Sequence, residues 1–268
     1  MMNELLGRVA FTIGKFEVYW YGIIMAFSIL LAFVMVAVYC KKKGLGTDFA
    51  FEMFLATVVP GVICARLFSV LFEADTTILD YFKFREGGMS IIGAVIGGAV
   101  GILILCLIRK KNFFDIADIV VPALILAQAI GRWGNFANQE VYGLEVVSKK
   151  WQFFPFAVYI EAESGWFLAL FFYECVLNLI GFGLLTFLLL KYNKRSLATG
   201  TYFLYYGIVR TCLEPLRQSE YILKFKGIPV SLAMSMVMII LGSAILFNLL
   251  IKWYLKKRAA KTTAKQKG

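Results

Sequence analysis

The chain has 268 residues, 60% of them hydrophobic, and a mean hydropathy of +0.77. That composition excludes an ordinary soluble domain and reads as an integral membrane protein. A net charge of +11 does not argue for nucleic acid here, because the basic residues stand in short blocks directly after apolar runs, where they act as topology signals.

The Met1–Lys15 segment holds Glu4, Arg8 and Lys15 and no compact cleavage site, so it is not read as a removable signal peptide. Seven apolar runs follow, several reaching the length that a spanning helix needs. The first runs from about Val18 to Cys40 and stops at Lys41, Lys42 and Lys43; the second, about Phe49 to Leu71, carries Pro60, Gly61 and Arg66. The third, about Gly87 to Ile108, ends at Arg109, Lys110 and Lys111, and the fourth runs from about Phe114 to Ile130. After a long connection come the fifth, Trp166 to Leu190, the short and polar sixth, Gly200 to Leu216, and the seventh, Ile228 to Tyr254.

Placing the ends of spans one, three, five and seven in the cytoplasm puts 16 of the 28 basic residues on that side, as the positive-inside rule requires. The expectation is therefore an all-α membrane protein with seven transmembrane helices, the N-terminus outside and the C-terminus cytoplasmic. Residues 1–255 form one polytopic domain, and 256–268 form a basic, disordered tail against anionic lipid. The longer outside segments, Phe72–Glu86, Asn135–Gly165 and Arg217–Gly227, carry aromatics suited to the headgroup level, among them Tyr81, Trp151, Phe153, Phe154 and Tyr159. In the third span Gly93, Gly97 and Gly101 leave one face almost without side chains, a signal for close helix packing.

Five cysteines, Cys40, Cys64, Cys106, Cys175 and Cys212, form no CxxC pair, and the chain has no histidine. The cysteines read as small hydrophobic residues. With the commonest zinc ligand absent, no metal and no cofactor is expected.

Polar residues where hydrophobicity predicts lipid are the functional signal. Arg66, Arg132 and Arg210 lie in spans or at their ends; an arginine at such a depth must pair, snorkel or bind an anion, and a phospholipid headgroup is the anion at hand. Arg132 begins a cluster with Asn135, Asn138, Gln139 and Glu140, closed by Gly143, which is expected to turn the chain. Arg132 and Asn135, three apart, share a helix face that suits a phosphate. Arg210, Glu214 and Arg217, spaced four and three, share another, with a kink expected at Pro215. Tyr21 could offer a hydroxyl to the same cavity, and Glu174 reads as an arginine's partner rather than a base.

Together these residues resemble the prolipoprotein diacylglyceryl transferase family. The resemblance rests on Trp20-Tyr21-Gly22, Arg66-Leu67-Phe68, Gly87-Gly88-Met89-Ser90, Tyr173-Glu174 and Arg210 through Arg217. Its most specific part is Gly131 through Gly143, which fits the pattern G-R-x-G-N-F-x-N-x-E-x-x-G. The resemblance implies an enzyme of the bacterial cytoplasmic (inner) membrane. It would move the diacylglyceryl group of phosphatidylglycerol to the lipobox cysteine in the signal peptide of a preprolipoprotein, forming a thioether and releasing glycerol phosphate. Arg132, Arg210, Glu140 and Tyr21 would be catalytic, and Arg132, Asn135, Asn138, Gly143, Arg210, Glu214 and Arg66 would bind substrate.

Two departures stand out. Where the family carries His or Tyr, two residues after the Ser of the third-span motif, this chain has Ile92, and Leu168-Ala169-Leu170 replaces the usual His-Pro-Ser/Thr triplet. Glu140, Tyr21 or water must then take the thiol proton. The alternatives are a catalytically altered relative that binds anionic lipid or lipoprotein precursors, and an anion transporter, which the absence of paired broken helices disfavours.

Overall fold

The computed structural model describes residues 8–72, 90–222, 224–225 and 227–266. Tyr81, Gly87, Gly88 and Met89 lie outside the described residues. An antiparallel hairpin, β1 (Val9–Ile13) and β2 (Phe16–Tyr19), leads into α1 (Trp20–Lys42). Then come α2 (Thr47–Phe72), α3 (Ile91–Ile108) and α4 (Phe113–Ala137). A second antiparallel hairpin, β3 (Ala157–Ile160) and β4 (Gly165–Leu168), precedes α5 (Leu170–Lys191) and α6 (Leu197–Leu213). A short pair, β5 (Lys224–Phe225) and β6 (Ile228–Pro229), enters α7 (Val230–Gln266).

Among the described residues five helices, α1, α2, α4, α5 and α7, are long and apolar enough to cross a membrane. The described part of α3 is shorter but apolar, and α6 has 17 residues. The chain divides into two compact units, Met1–Ala32 with Val120–Gly268, and Phe33–Ile119.

In the second unit the glycine face of α3 packs on α2. A Cβ at Gly93 would meet the Cys64 carbonyl, one at Gly97 the Pro60 carbonyl, and one at Gly101 the Ala56 carbonyl. Backbones approach this closely only where side chains are absent. Ser90 caps α3, its hydroxyl accepting from Gly93 N at 3.4 Å. Arg66, 5% exposed, lies on α2 in this unit. Arg109 and Glu52 form an exposed bidentate pair.

In the first unit the core has two levels. Val121, Ile125, Leu185, Ala198 and Tyr202 join α4, α5 and α6. A second cluster, Phe136, Tyr142, Val158, Ile160, Phe167, Ala169 and Phe171, packs the β3–β4 hairpin over the end of α4. The Phe136 and Phe171 rings stack at 4.5 Å, with Trp133 edge-on to Phe171 at 5.3 Å.

Four expectations change. The fifth span begins at Leu170 rather than Trp166, because Trp166, Phe167 and Leu168 pair in register with Tyr159, Val158 and Ala157; an apolar run is equally compatible with a strand. The sixth ends at Leu213, and Glu214–Leu216 tighten into a 3-10 turn, so Pro215 stops the helix instead of kinking it. The turn before Gly143 is made by Gln139 (φ 52°) and Val141 (φ 58°). The basic tail continues α7 as far as Gln266: Lys, Ala and Gln are good helix formers, and extending an existing helix needs no new nucleus.

Candidate lipid-phosphate site

The helical fourth span carries straight through the polar signature to Ala137, so Arg132 and Asn135 stay on helical backbone. At that level α4 meets the start of α1: a Cβ at Gly134 would touch the Tyr21 ring at 2.9 Å, and one at Gly131 the Met25 sulfur at 3.5 Å. Gly134 thereby lets the Tyr21 ring lie against the helix that carries Arg132.

The ion pairs are centred on Glu174 of α5, which is 3% exposed. Its Oε2 lies 2.7 Å from Arg132 and its Oε1 accepts from Arg210 Nη1 at 2.9 Å. Arg210 also reaches Glu214 Oε2, in the 3-10 turn just past α6, at 2.8 Å, and the other oxygen of Glu214 accepts from the Ser231 hydroxyl at the start of α7. Two arginines from different helices therefore converge through one carboxylate. Isolated charges at this burial would be prohibitive, and each is compensated here by a partner. Tyr206 is a further polar neighbour of Arg132.

Arg217 follows the 3-10 turn. It shares the electrostatic surroundings of Arg210, Glu214, Glu174 and Arg132, yet its buried Nε has no hydrogen-bond partner and no ion pair reaches its side chain among the described residues. Burial first, and then the charge of Arg210, push its guanidinium below its ordinary value; an arginine so shifted remains a cation at neutral pH. Arg132, Arg210 and Arg217 against Glu174 and Glu214 leave a net charge of about +1 in a water-poor setting.

Glu140 sits beyond the helix end between two left-handed residues, Gln139 and Val141. A β-branched residue at such a φ is strained by about 1–3 kcal/mol, and strain of this kind gathers at functional sites. The turn is held by Glu140 N donating to Asn135 O at 3.0 Å, and by Gln139 Oε1 accepting from Glu161 N at 3.1 Å. Asn135 and Asn138 both donate side-chain amides to Glu140 Oε1, at 3.0 and 3.5 Å. No guanidinium pairs with Glu140 among the described residues.

Gly143 is needed for close approach. A Cβ there would meet Leu168 Cβ at 2.6 Å, Leu216 O at 2.9 Å and Leu170 Cγ at 3.0 Å. Its backbone bridges Arg217, with Leu144 N donating to Leu216 O at 2.9 Å, so the signature loop and the Arg217 segment are stitched together. Tyr142 adds a second stitch: its hydroxyl meets Glu163 at 3.1 Å and Glu220 at 3.3 Å. Burial first, then Tyr221 and Glu163, push the Tyr142 phenol up. Leu168 and Leu170 of the substituted triplet fill the space against Gly143.

Of the residues singled out from the sequence, Arg132, Arg210 and Glu214 form one ion-pair chain. Tyr21, Asn135, Asn138, Glu140 and Gly143 belong to the same unit, whereas Arg66 belongs to the other. Ser231 and Tyr206 were missed; a lone hydroxyl in an apolar run carries no spacing signal.

The sequence profile of prolipoprotein diacylglyceryl transferase matches residues 8–248. A protein of Clostridium perfringens named phosphatidylglycerol–prolipoprotein diacylglyceryl transferase 1 is 38% identical over 245 residues, covering 88% of this chain and 92% of its own. Proteins with the same name but no number, from Oceanobacillus iheyensis and Clostridium botulinum strain Loch Maree, are 39% identical over 224 residues and 33% over 254. These alignments cover 79% and 92% of this chain, and 77% and 98% of the relatives. With the profile match spanning the hydrophobic chain and its polar signature alike, the chain belongs to the prolipoprotein diacylglyceryl transferase family.

Proposed function

We propose that this protein transfers the diacylglyceryl group of phosphatidylglycerol to the lipobox cysteine thiol of preprolipoproteins, the first step of lipoprotein maturation. It works in the bacterial inner membrane, which all seven helices cross with the N-terminus outside. The observation that carries the reading is the convergence of Arg132 and Arg210 on Glu174, with Arg217 beside them unpaired. A phosphodiester brings one negative charge, which suits a cluster of three guanidinium groups. Arg217 is the first cation open to it, and the outer faces of Arg132 and Arg210 complete the cradle.

Transfer breaks the bond between the glyceryl carbon and the phosphate oxygen as the cysteine sulfur bonds to that carbon. The leaving glycerol phosphate gains a second negative charge, and guanidinium groups already held in place stabilise it without reorganising. The thiol proton passes to Glu140, the site carboxylate that only amides hold, and from there to water. Asn135 and Asn138 fix the Glu140 carboxyl, Tyr21 walls the site against Gly134, and Gly143 sets the loop at its depth. Arg66 is assigned to lipid binding on the family motif alone.

The test is mass spectrometry of a lipobox peptide incubated with purified protein and phosphatidylglycerol. The peptide cysteine gains a diacylglyceryl mass, and Arg132→Ala or Arg210→Ala abolishes the gain. A folded, lipid-binding sample that yields no adduct would support the altered, lipid-binding relative instead.

A further inference from the structure

Below the ion-pair layer, α4 and α5 meet a second time. Arg132 pairs with Glu174, and seven residues along each helix Ile125 faces Gly181, where a Cβ would meet Ile125 Cδ1 at 2.6 Å. Gln128 and Asn178 stand midway between these two contacts, three residues from one and four from the other on their respective helices. That spacing keeps each on the contact face, about 6 Å along the helix from the ion pairs. The third wall is α6, whose Tyr202 hydroxyl accepts from Gln128 Nε2 at 3.1 Å and whose Tyr205 hydroxyl donates to Leu177 O at 2.6 Å.

Asn178 is 1% exposed, and neither its Oδ1 nor its Nδ2 has a protein partner; Gln128 Oε1 is likewise without one. Turning the Gln128 amide over would exchange the group that bonds Tyr202 and still strand the other. A buried amide with both ends unmade is destabilising by about 1–3 kcal/mol per group, and buried polar groups are ordinarily satisfied, by water if not by protein.

We infer that Asn178 and Gln128 form a buried hydration site one helical turn inward of the Arg132–Glu174–Arg210 layer, with ordered water as its ligand. The donor and acceptor inventory calls for hydroxyl-type groups. Asn178 needs a partner that donates to Oδ1 and one that accepts from Nδ2, which ester carbonyls and phosphate diesters, acceptors only, cannot supply. Water can, and so can the glycerol hydroxyls of phosphatidylglycerol, which the arm of the experiment with phosphatidylglycerol separates from water. The amide and its carbonyl neighbour on Gln128 call for more than one water. The site forms a polar floor beneath the charged cluster and separates Glu174 from the apolar level of Ile125, Leu185 and Tyr202. It stands independently of the transferase reading.

Hydroxyl-radical footprinting with short X-ray pulses tests it, because a bound water generates radicals where bulk solvent does not reach. The protein is held in phosphatidylcholine nanodiscs, with and without added phosphatidylglycerol. Tyr202, 5% exposed, is expected to be labelled well above Tyr39, which is 1% exposed, equally with and without phosphatidylglycerol. Asn178→Leu combined with Gln128→Leu is expected to remove that label, and Gln128→Leu alone serves if the pair does not fold. Labelling of Tyr202 no higher than Tyr39 in the unsubstituted protein would overturn the inference. So would a label that survives the substitutions, or one that phosphatidylglycerol displaces, since the occupant would then be lipid.

Discussion

Replacing Glu174 by Gln removes one charge and little volume from the centre of the site. Its two oxygens hold Arg132 at 2.7 Å and Arg210 at 2.9 Å from a position 3% exposed. Breaking a buried pair by removing one partner is destabilising by about 3–5 kcal/mol, because the surviving charge is stranded. Two features soften the loss: Arg210 keeps Glu214 at 2.8 Å, and the Arg132 side chain is 19% exposed and can find water. The expected value is therefore at the lower end, about 3 kcal/mol. In a chain of this size that lowers the melting temperature by about 6–12 °C. The protein supplies its own assay: Cys40, Cys106 and Cys175 are buried and free, so a thiol-reactive dye reports unfolding above the steady signal of exposed Cys212. A Glu174→Gln protein that melts within about 1 °C of the parent would refute Glu174 as the shared counter-ion.

Other substitutions separate binding from packing. Arg217→Gln should raise the KM for phosphatidylglycerol by about tenfold, a loss of roughly 1.4 kcal/mol, while the melting temperature holds, because no ion pair of the described fold depends on it; an unchanged KM would remove Arg217 from the phosphate cradle. Gly143→Ala should lose about 1–3 kcal/mol of stability together with most activity, read by melting and by peptide adduct yield, since its Cβ has no room against Leu168 and Leu216. Gly101→Ala should destabilise the α2–α3 unit through the Ala56 carbonyl and lower the melting temperature. For Tyr142 the phenol is raised in the folded state, so its contribution is complete below the unfolded value near 10 and fades as pH rises above it; Tyr142→Phe should flatten that alkaline part of a melting-versus-pH curve.

Five of the apolar runs return as long apolar helices among the described residues, because lipid imposes length directly on sequence. The glycine face of α3 was legible for a similar reason: a repeat of four is one helix face, and it packs on α2 at Gly93, Gly97 and Gly101. Burial of charge announced Arg132, Arg210 and Glu214, and the pairing of Glu174 followed from the same cost. Local geometry was harder to read. Trp166-Phe167-Leu168 is apolar whether helical or extended, and only its pairing partner in β3 decides. Gly143 looked like a turn residue, yet the turn falls to Gln139 and Val141, whose side chains give no hint of a left-handed backbone. Ser231 acts across helices, on Glu214, and a contact between distant segments leaves no spacing in either one.

On the proposed mechanism a chain without histidine completes the transfer, with arginines taking the phosphate and Glu140 the proton. Phosphorus NMR run alongside mass spectrometry of the lipobox peptide tests it most directly, because one reaction must give both products. The expected result is one glycerol phosphate released for each thioether-linked diacylglyceryl peptide, with Glu140→Gln slowing both equally. Phosphatidylglycerol that binds the folded protein but yields neither product would contradict the account.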